Sequence, residues 1–506
     1  MSGGRRSEGR PPVPVSPEPE ENEARLRGIF DRCDDIVYRR VAVARGEPDG
    51  LLVYCEGMAD SPRLNETVLR ELLGGGNGHE TAAGDDADGW PMAALDRRAT
   101  LDEAATDILD GRLALFLPGR RHAYVLDLAN PPRRVPEEAP TEVSIRGPRD
   151  GFVEDVTVNV ALVRKRLRTA SLACEHFALG KRSMVKAALL YIKDIARPEM
   201  IADVRERLKA VDIDALQSND QLEHRLTGFR LSPLPVFHYS GRPDHVAAAL
   251  LRGRFAIVID GVPTASIAPA NLYFMLTSPE DLHNHFLNIL VGRALRCLGL
   301  VVSLFLPGFY IAVTTYHPDQ IPLTLLATIT VARKGVPVPA PVEAFLMLTA
   351  FELFREAGVR LPRAIGQTLT VVGGLIIGDA AIRAGMTSPS LLVVIATTAV
   401  ATFAIANRSL AGTVGLLRIG VLIVSSVLGA YGFILSAFAI IVLLASTRSF
   451  GVPYLTPISP FNAGDALSAI RTILRLPGGS PMQRPETMRP GDPTRSGGNA
   501  RGGGSR

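Results

Sequence analysis

Three stretches of this chain contain no charged side chain: Cys297–Tyr316, Ala384–Asn407 and Ile419–Thr447. A bilayer core about 30 Å thick is crossed by about 20 apolar residues in a helix. Within that core a helix satisfies its backbone polar groups internally. Cys297–Tyr316 is long enough to cross once, and Pro389–Ala406 once. Ile419–Thr447, joined to Leu410–Leu417, is too long for one helix, and Gly429-Ala430-Tyr431-Gly432 offers the break between two. Ile365–Ala381, with Asp379 its one acid, provides a further crossing. Leu323–Val331 and Ala344–Phe354 are apolar but short, lie among prolines near Arg333 and Lys334, and are bordered or interrupted by Glu343 and Glu352. Such pieces are expected to be interfacial or re-entrant and shielded from lipid by protein. Arg293 and Arg296 precede the first crossing, and Arg360 and Arg363 the second. Arg408 and Arg418 follow the third, and Arg471 and Arg475 the last. All fall on the cytoplasmic side if Ala344–Phe354 returns the chain there.

Up to about Pro279 the chain is charged and ordinary. The overall 47% of hydrophobic residues and mean hydropathy of +0.17 therefore come from the second half. The expected class is a soluble α/β N-terminal region of two similar subdomains followed by an all-α transmembrane helix bundle. The N-terminus has no apolar core, so it does not read as a secretory signal, and the N-terminal region is expected in the cytoplasm. Cys33, Cys55, Cys174 and Cys297 form no CxxC or Cys/His pattern, which argues against a zinc site or disulfide framework. Expected boundaries are a disordered tail over 1–22, subdomains over 23–135 and 136–285, and a transmembrane domain over 286–450. A membrane-proximal segment over 451–476 and a disordered tail over 477–506 complete the chain.

The two subdomains are expected to be copies. Leu52–Ala59 resembles Leu189–Ala196, each reading as a buried strand leading to a helix. Gly111–Gly119 resembles Gly253–Gly261 without a gap, each a hairpin about a Gly turn. Two matched segments in one order point to a repeat.

No catalytic constellation stands out: no Gly-x-Ser-x-Gly elbow, no phosphate-binding Gly-x-x-x-x-Gly-Lys loop, no His-Glu-x-x-His. No cofactor, metal or nucleic acid is expected. His283 and His285 are two apart and would not share a helix face. Arg164-Lys165-Arg166 and Arg168 read as a solvated helix face, with anionic lipid as the alternative. In the junction segment Arg146, Gly147, Pro148, Arg149 and Asp150, a Gly-Pro turn is flanked by two arginines. Those arginines are expected to make buried bonds that fix the angle between the subdomains, with Asp150 capping the following helix.

That segment, Ile145–Phe152, also resembles the GerA family of spore germination proteins, A subunits of nutrient germinant receptors. Further matches follow in order: Asn159–Arg168, Leu304–Pro307, Tyr310–Ala312, His317-Pro318, Ile321-Pro322, Arg355–Pro362, Ile365–Gln367 and Ser449–Leu455. The resemblance covers roughly Arg112 to Phe461. It departs after Leu346-Met347, where the family pattern has an acid and this chain has Leu348, so no role is carried over for that acid. The resemblance implies a multi-pass protein of the inner spore membrane, with its N-terminal region on the core side. It implies a homo-oligomeric, nutrient-gated channel releasing monovalent cations, in contact with membrane lipid and partnered by a transporter-like B subunit and a lipoprotein C subunit. The alternatives are an accessory germination paralogue that senses no nutrient, and a secondary transporter. Within Ile365–Ala381, Gln367, Thr370 or Val371, Gly374 and Gly378 share one helical stripe. In a ring of identical helices that stripe is the candidate pore lining, with Val371 a dewetting gate. The bland alternative is that Gly374 and Gly378 only let helices pack closely.

Overall fold

The computed structural model describes residues 12–41, 49–64, 66, 96–132, 147–228, 233–360 and 378–456. They divide into two compact units. The first holds the described residues up to 228 together with Tyr239–Pro269. The second holds 233–238 and everything from Ala270 onward.

The first unit is α/β and contains two five-stranded sheets. One is built from β1 (Ile36–Val41), β2 (Gly50–Cys55), β3 (Asp96–Arg98), β4 (Leu113–Phe116) and β5 (Ala123–Leu126). The other is built from β6 (Leu172–Leu179), β7 (Val185–Ile192), β8 (His238–Ser240), β9 (Phe255–Ile259) and β10 (Ala265–Ala268). The strand order is β1-β2-β4-β5-β3 in one and β6-β7-β9-β10-β8 in the other, the same order in both. β4–β5 and β9–β10 are antiparallel hairpins at the two Gly-bounded segments the sequence pairs.

The local reason for the match is visible before each hairpin. Helix α2 (Leu101–Leu109), which follows α1 (Pro19–Ile29), and its counterpart, Pro243–Leu250, each end at a glycine of positive φ, +92° at Gly111 and +85° at Gly253. The next N–H turns back into the helix, from Arg112 to Asp107 O and from Arg254 to Ala249 O. A side chain at Gly111 would also meet the Met58 carbonyl at 2.7 Å. Glycine alone fits both demands.

Strand β2 is buried along its whole length. Its side chains alternate between two cores, as a strand with both faces covered must. Leu51, Val53 and Cys55 join Leu26, Phe30, Ala104 and Ile108 on one face. Leu52 and Tyr54 join Leu113, Leu115 and Tyr124 on the other. Each buried Leu-sized side chain contributes about 1.5–3 kcal/mol. Cys33, Cys55 and Cys174 are buried free thiols. Burial pushes each thiol up, which makes them unreactive.

The second unit is helical. The α/β unit also carries α3 (Val156–Arg164), α4 (Pro198–Lys209), α5 (Asn219–Thr227) and α6 (Pro243–Leu250); five helices of ten residues or more follow among the described residues of the second unit. These longest helices are α7 (Phe286–Ile311), α8 (Leu323–Ala332), α9 (Ala340–Arg360), α10 (Pro389–Phe403) and α11 (Arg408–Ser446). Among the described residues two helices are long and apolar enough to cross a membrane: Phe286–Tyr316, which extends α7 by a π-helical turn, and Arg408–Ser446. The former starts well before Cys297, the expected beginning, because the arginines there are neutralised. α10 has 15 residues, about 22 Å at 1.5 Å per residue, less than an expected crossing at Pro389–Ala406 requires. α9 has 21 residues, longer than the expected short piece, because Glu343 and Glu352 are both received by partners and do not interrupt it.

Small residues bring the helices together. A Cβ at Gly299 would lie 3.0 Å from Ala401 O and 3.1 Å from Ala404 Cβ, and one at Gly308 would lie 2.8 Å from Val421 Cγ1. The expected break in the last apolar run is present: Gly429 has φ +62° and ψ −139° inside α11. No side chain fits there, because the Tyr316 ring lies against it at 2.8 Å from a would-be Cβ. Tyr316 then donates its hydroxyl to Ser426 O at 2.5 Å, occupying a carbonyl near the break.

Candidate functional site

Two carboxylates on α9, both within apolar surroundings, are the chemically informative groups of the helical unit. A buried ionisable side chain in such helices costs stability and so marks a functional region. Glu343 is 1% exposed. Its Oε1 accepts from Ser388 N at 2.5 Å, Ser388 Oγ at 2.7 Å and Thr387 Oγ1 at 3.0 Å. Ser388 is the N-cap of α10 and its Oγ accepts from Leu391 N. The carboxylate therefore sits where the helix dipole is positive. Glu343 Oε2 accepts no hydrogen bond among the described residues. Arg333 Nε stands 3.7 Å from it. The Tyr310 hydroxyl lies 3.1 Å from Ser390 Oγ beside this cluster.

Glu352 is held by side chains alone. Its Oε2 meets Arg355 Nη2 at 2.6 Å and its Oε1 meets Arg418 Nη2. Arg418 Nη1 donates to Thr402 Oγ1 at 3.0 Å, and Thr402 Oγ1 donates in turn to Thr398 O at 2.8 Å. Arg418 Nε has no hydrogen-bond partner among the described residues. One network thus ties α9, α10 and α11.

Arg418 is therefore not a loop-end charge. It is 1% exposed and lies inside α11, so the positive-inside count loses it. Arg293 and Arg296 likewise lie within α7, and both meet Asp281. Burial pushes the Asp281 carboxyl up, but hydrogen bonds and charge from Arg296 and Arg293 outweigh it and hold it below the usual range.

The expected pore residues Gln367, Thr370, Val371 and Gly374 lie outside the described residues. Gly378 is buried, and a Cβ there would be 3.3 Å from Leu392 Cδ2. That contact supports close packing at this position.

The junction residues are distributed differently from expectation. Arg146 lies outside the described residues, Gly147 and Pro148 are half-buried, and Arg149 is exposed rather than buried. Asp150 does not cap α3; Asp155 does, accepting from Thr157 N and Val158 N. Asp150 instead pairs with Arg166 at 2.6 and 2.8 Å. The basic run expected to be a solvated face is largely engaged. Arg164 is fully buried and bidentate with Asp35. Lys165 donates to Pro132 O at 3.1 Å, and Arg168 meets Asp110 at 2.7 Å. These contacts join the copy carrying α3 to the copy carrying β1–β5.

A family description, Bacillus/Clostridium GerA spore germination protein, matches residues 24–487. The chain belongs to the GerA family. It is 41% identical to spore germination protein XA of Bacillus anthracis, over 94% of this chain and 97% of that one. It is 35% identical to the uncharacterized membrane protein YfkQ of Bacillus subtilis (strain 168), over 95% and 93% of the two chains. The crystal structure of the N-terminal domain of the A subunit of the Bacillus megaterium spore germinant receptor GerK3 aligns with 52% of this chain. It covers 98% of that domain at 25% identity, with a TM-score of 0.40. In this GerA chain the Ser449–Leu455 segment forms a two-stranded hairpin, β11 (Arg448–Ser449) and β12 (Val452–Pro453). Its turn residues Phe450 and Gly451 both have positive φ. Ser449 Oγ donates to Val236 O at 3.0 Å, and Leu272 N to Tyr454 O at 2.9 Å.

Proposed function

We propose that this GerA-family chain is the A-type membrane subunit of a spore germinant receptor. It forms an oligomeric, nutrient-gated channel that releases monovalent cations at the start of germination. The observation that carries the reading is 41% identity to a spore germination protein over nearly the full length of both chains. Two long apolar helices and the 35% identity to a membrane protein support placement in a membrane. The reading places it as a multi-pass helix bundle in the inner spore membrane, with the α/β region on the core side. It works with a transporter-like B subunit and a lipoprotein C subunit. Gln367, Thr370, Val371 and Gly374 line the pore, with Gly378 packed against α10, and Val371 gates it by excluding water.

The test uses a spore former deprived of its own A subunits and supplied with this chain and its B and C partners. Nutrient addition is expected to trigger potassium release only when this chain is present. Release and germination that proceed equally without it would overturn the reading.

A further inference from the structure

Glu343 and Glu352 of α9 are held in ways that differ in reversibility. Glu343 accepts the backbone N–H of Ser388 at the start of α10, so releasing it strands a buried backbone donor. Glu352 meets only side chains. One, Arg355, is three residues along its own helix; the other, Arg418, belongs to α11. A carboxylate shared in this way can leave the distant cation and remain paired with the near one. Arg418 meanwhile keeps its bond to Thr402. The α9–α11 contact therefore opens without stranding the carboxylate and without breaking either helix.

Gly415 leaves room for the exchange. A Cβ there would lie 3.6 Å from Glu352 Oε1, 3.8 Å from Arg418 Nη2 and 3.9 Å from Arg355 Nη2. A longer side chain would occupy the space in which the heads turn. The pair is also incompletely satisfied, with Arg418 Nε unbonded among the described residues. Such a pair is a poor stabiliser, because an apolar replacement of similar volume is often neutral or better. Two alternative pairings of one carboxylate are the kind of two-state element that couples distant parts of a protein.

We infer that Glu352 is a positioning residue whose ion pair with Arg418 holds α9 against α11 in the closed channel. Opening transfers the carboxylate to Arg355 alone. The inference rests on the channel reading above, since residues 361–377, next in sequence after α9, carry most of the candidate pore stripe.

The test is potassium efflux, without nutrient, from phospholipid vesicles holding the purified full-length chain. Four variants are compared with wild type: Glu352→Gln, Arg418→Met, the combined Glu352→Leu with Arg418→Met, and Val371→Ala. A charge-assisted bond exceeds a neutral one by enough to change an equilibrium about tenfold. Efflux is therefore expected to rise about tenfold in each single variant of the pair, with unfolding temperature and yield close to wild type. The apolar pair packs α9 against α11 without an exchangeable bond, and its vesicles are expected to stay tight. A merely structural pair would instead lower unfolding temperature in the single variants, with leak following loss of folded protein; that result overturns the inference. If Val371→Ala leaks while both single variants hold potassium, the inference alone falls. If all of them hold potassium alike, the channel reading falls and the inference with it.

Discussion

Arg164 in the α/β unit and Arg418 in the helical unit are both almost completely buried, yet they are bonded very differently. Arg164 uses its whole guanidinium. Nε and Nη2 grip Asp35 at 2.6–2.9 Å. Nη1 donates to Thr169 O at 3.0 Å and Leu172 O at 3.1 Å. Arg418 grips one oxygen of Glu352 and one hydroxyl, and leaves Nε unbonded among the described residues. Asp35 has Arg164 as its charged partner in that pocket, whereas Glu352 has a second cation three residues away. A saturated bidentate pair specifies one geometry. A carboxylate with two cations permits two. Two copies are clamped in the α/β unit by the first arrangement, and three helices are tied together in the helical unit by the second.

The contrast is broken or sharpened by substitution. The largest effect is expected for Arg164→Ala, which leaves Asp35 and two carbonyls buried without their donor. Removing one partner of a buried pair costs about 3–5 kcal/mol. Thermal unfolding and limited proteolysis of the full chain should show early loss of the α/β unit. If Arg418→Ala destabilises the chain as much as Arg164→Ala, the distinction between rigid and exchangeable pairs fails. Gly429→Ala comes next. At φ +62° and ψ −139°, with the Tyr316 ring against it, a side chain is expected to cost about 1–3 kcal/mol of local strain, read as a lower unfolding temperature of the helical unit.

Acid should act on both units through partnered carboxylates, Glu175 in the first and Asp281 in the second. Burial raises the Glu175 pKa, but hydrogen bonds from Arg205 and Tyr191 and the charges of Arg205 and Arg32 lower it further. Asp281 is depressed in the same sense. A depressed folded-state pKa contributes stability above the unfolded value, about 4. That contribution is lost as pH falls through the folded value. Unfolding temperature followed from pH 7 to pH 3 should therefore hold until about 4 and then drop. Arg205→Met and Arg296→Met should flatten the drop, and an unchanged acid limb in both variants would remove these pairs from the account. The smallest effect is expected for Arg168→Ala. Its own side chain is half-exposed and Asp110 is exposed by about a third, so the cost is within about 0–1 kcal/mol. A larger loss would show that the copies are held at their rim as well as at Arg164.

The hairpins were legible because a Gly-strand-Gly pattern is local and occurs twice. The kink at Gly429 was legible because one apolar run exceeded a single crossing. Arg164 was misread because its partner, Asp35, is 129 residues away, and a basic run beside a helix looks solvated unless that partner is known. Asp155 was passed over for Asp150 because both acids precede the helix, and only the backbone decides which one caps. Arg418 did leave a signal: one charge between Leu410–Leu417 and Ile419–Thr447. Counting it as a loop charge hid the more informative question of what pairs with a charge inside an apolar run. Glu343 and Glu352 were noted as interruptions. They fall within an unbroken helix because a capped N-terminus and two arginines receive them.

The central claim is that this GerA chain forms a cation channel whose closed state is dry at Val371. Potassium flux through vesicles carrying wild-type, Val371→Ala or Val371→Phe chains tests it most directly. Shrinking the side chain removes apolar surface from the constriction and admits water. The account predicts tight wild-type vesicles, a leak in Val371→Ala without nutrient, and no flux in Val371→Phe. Val371→Ala vesicles as tight as wild type, with a leak produced instead by a substitution in Pro389–Ala406, would contradict it.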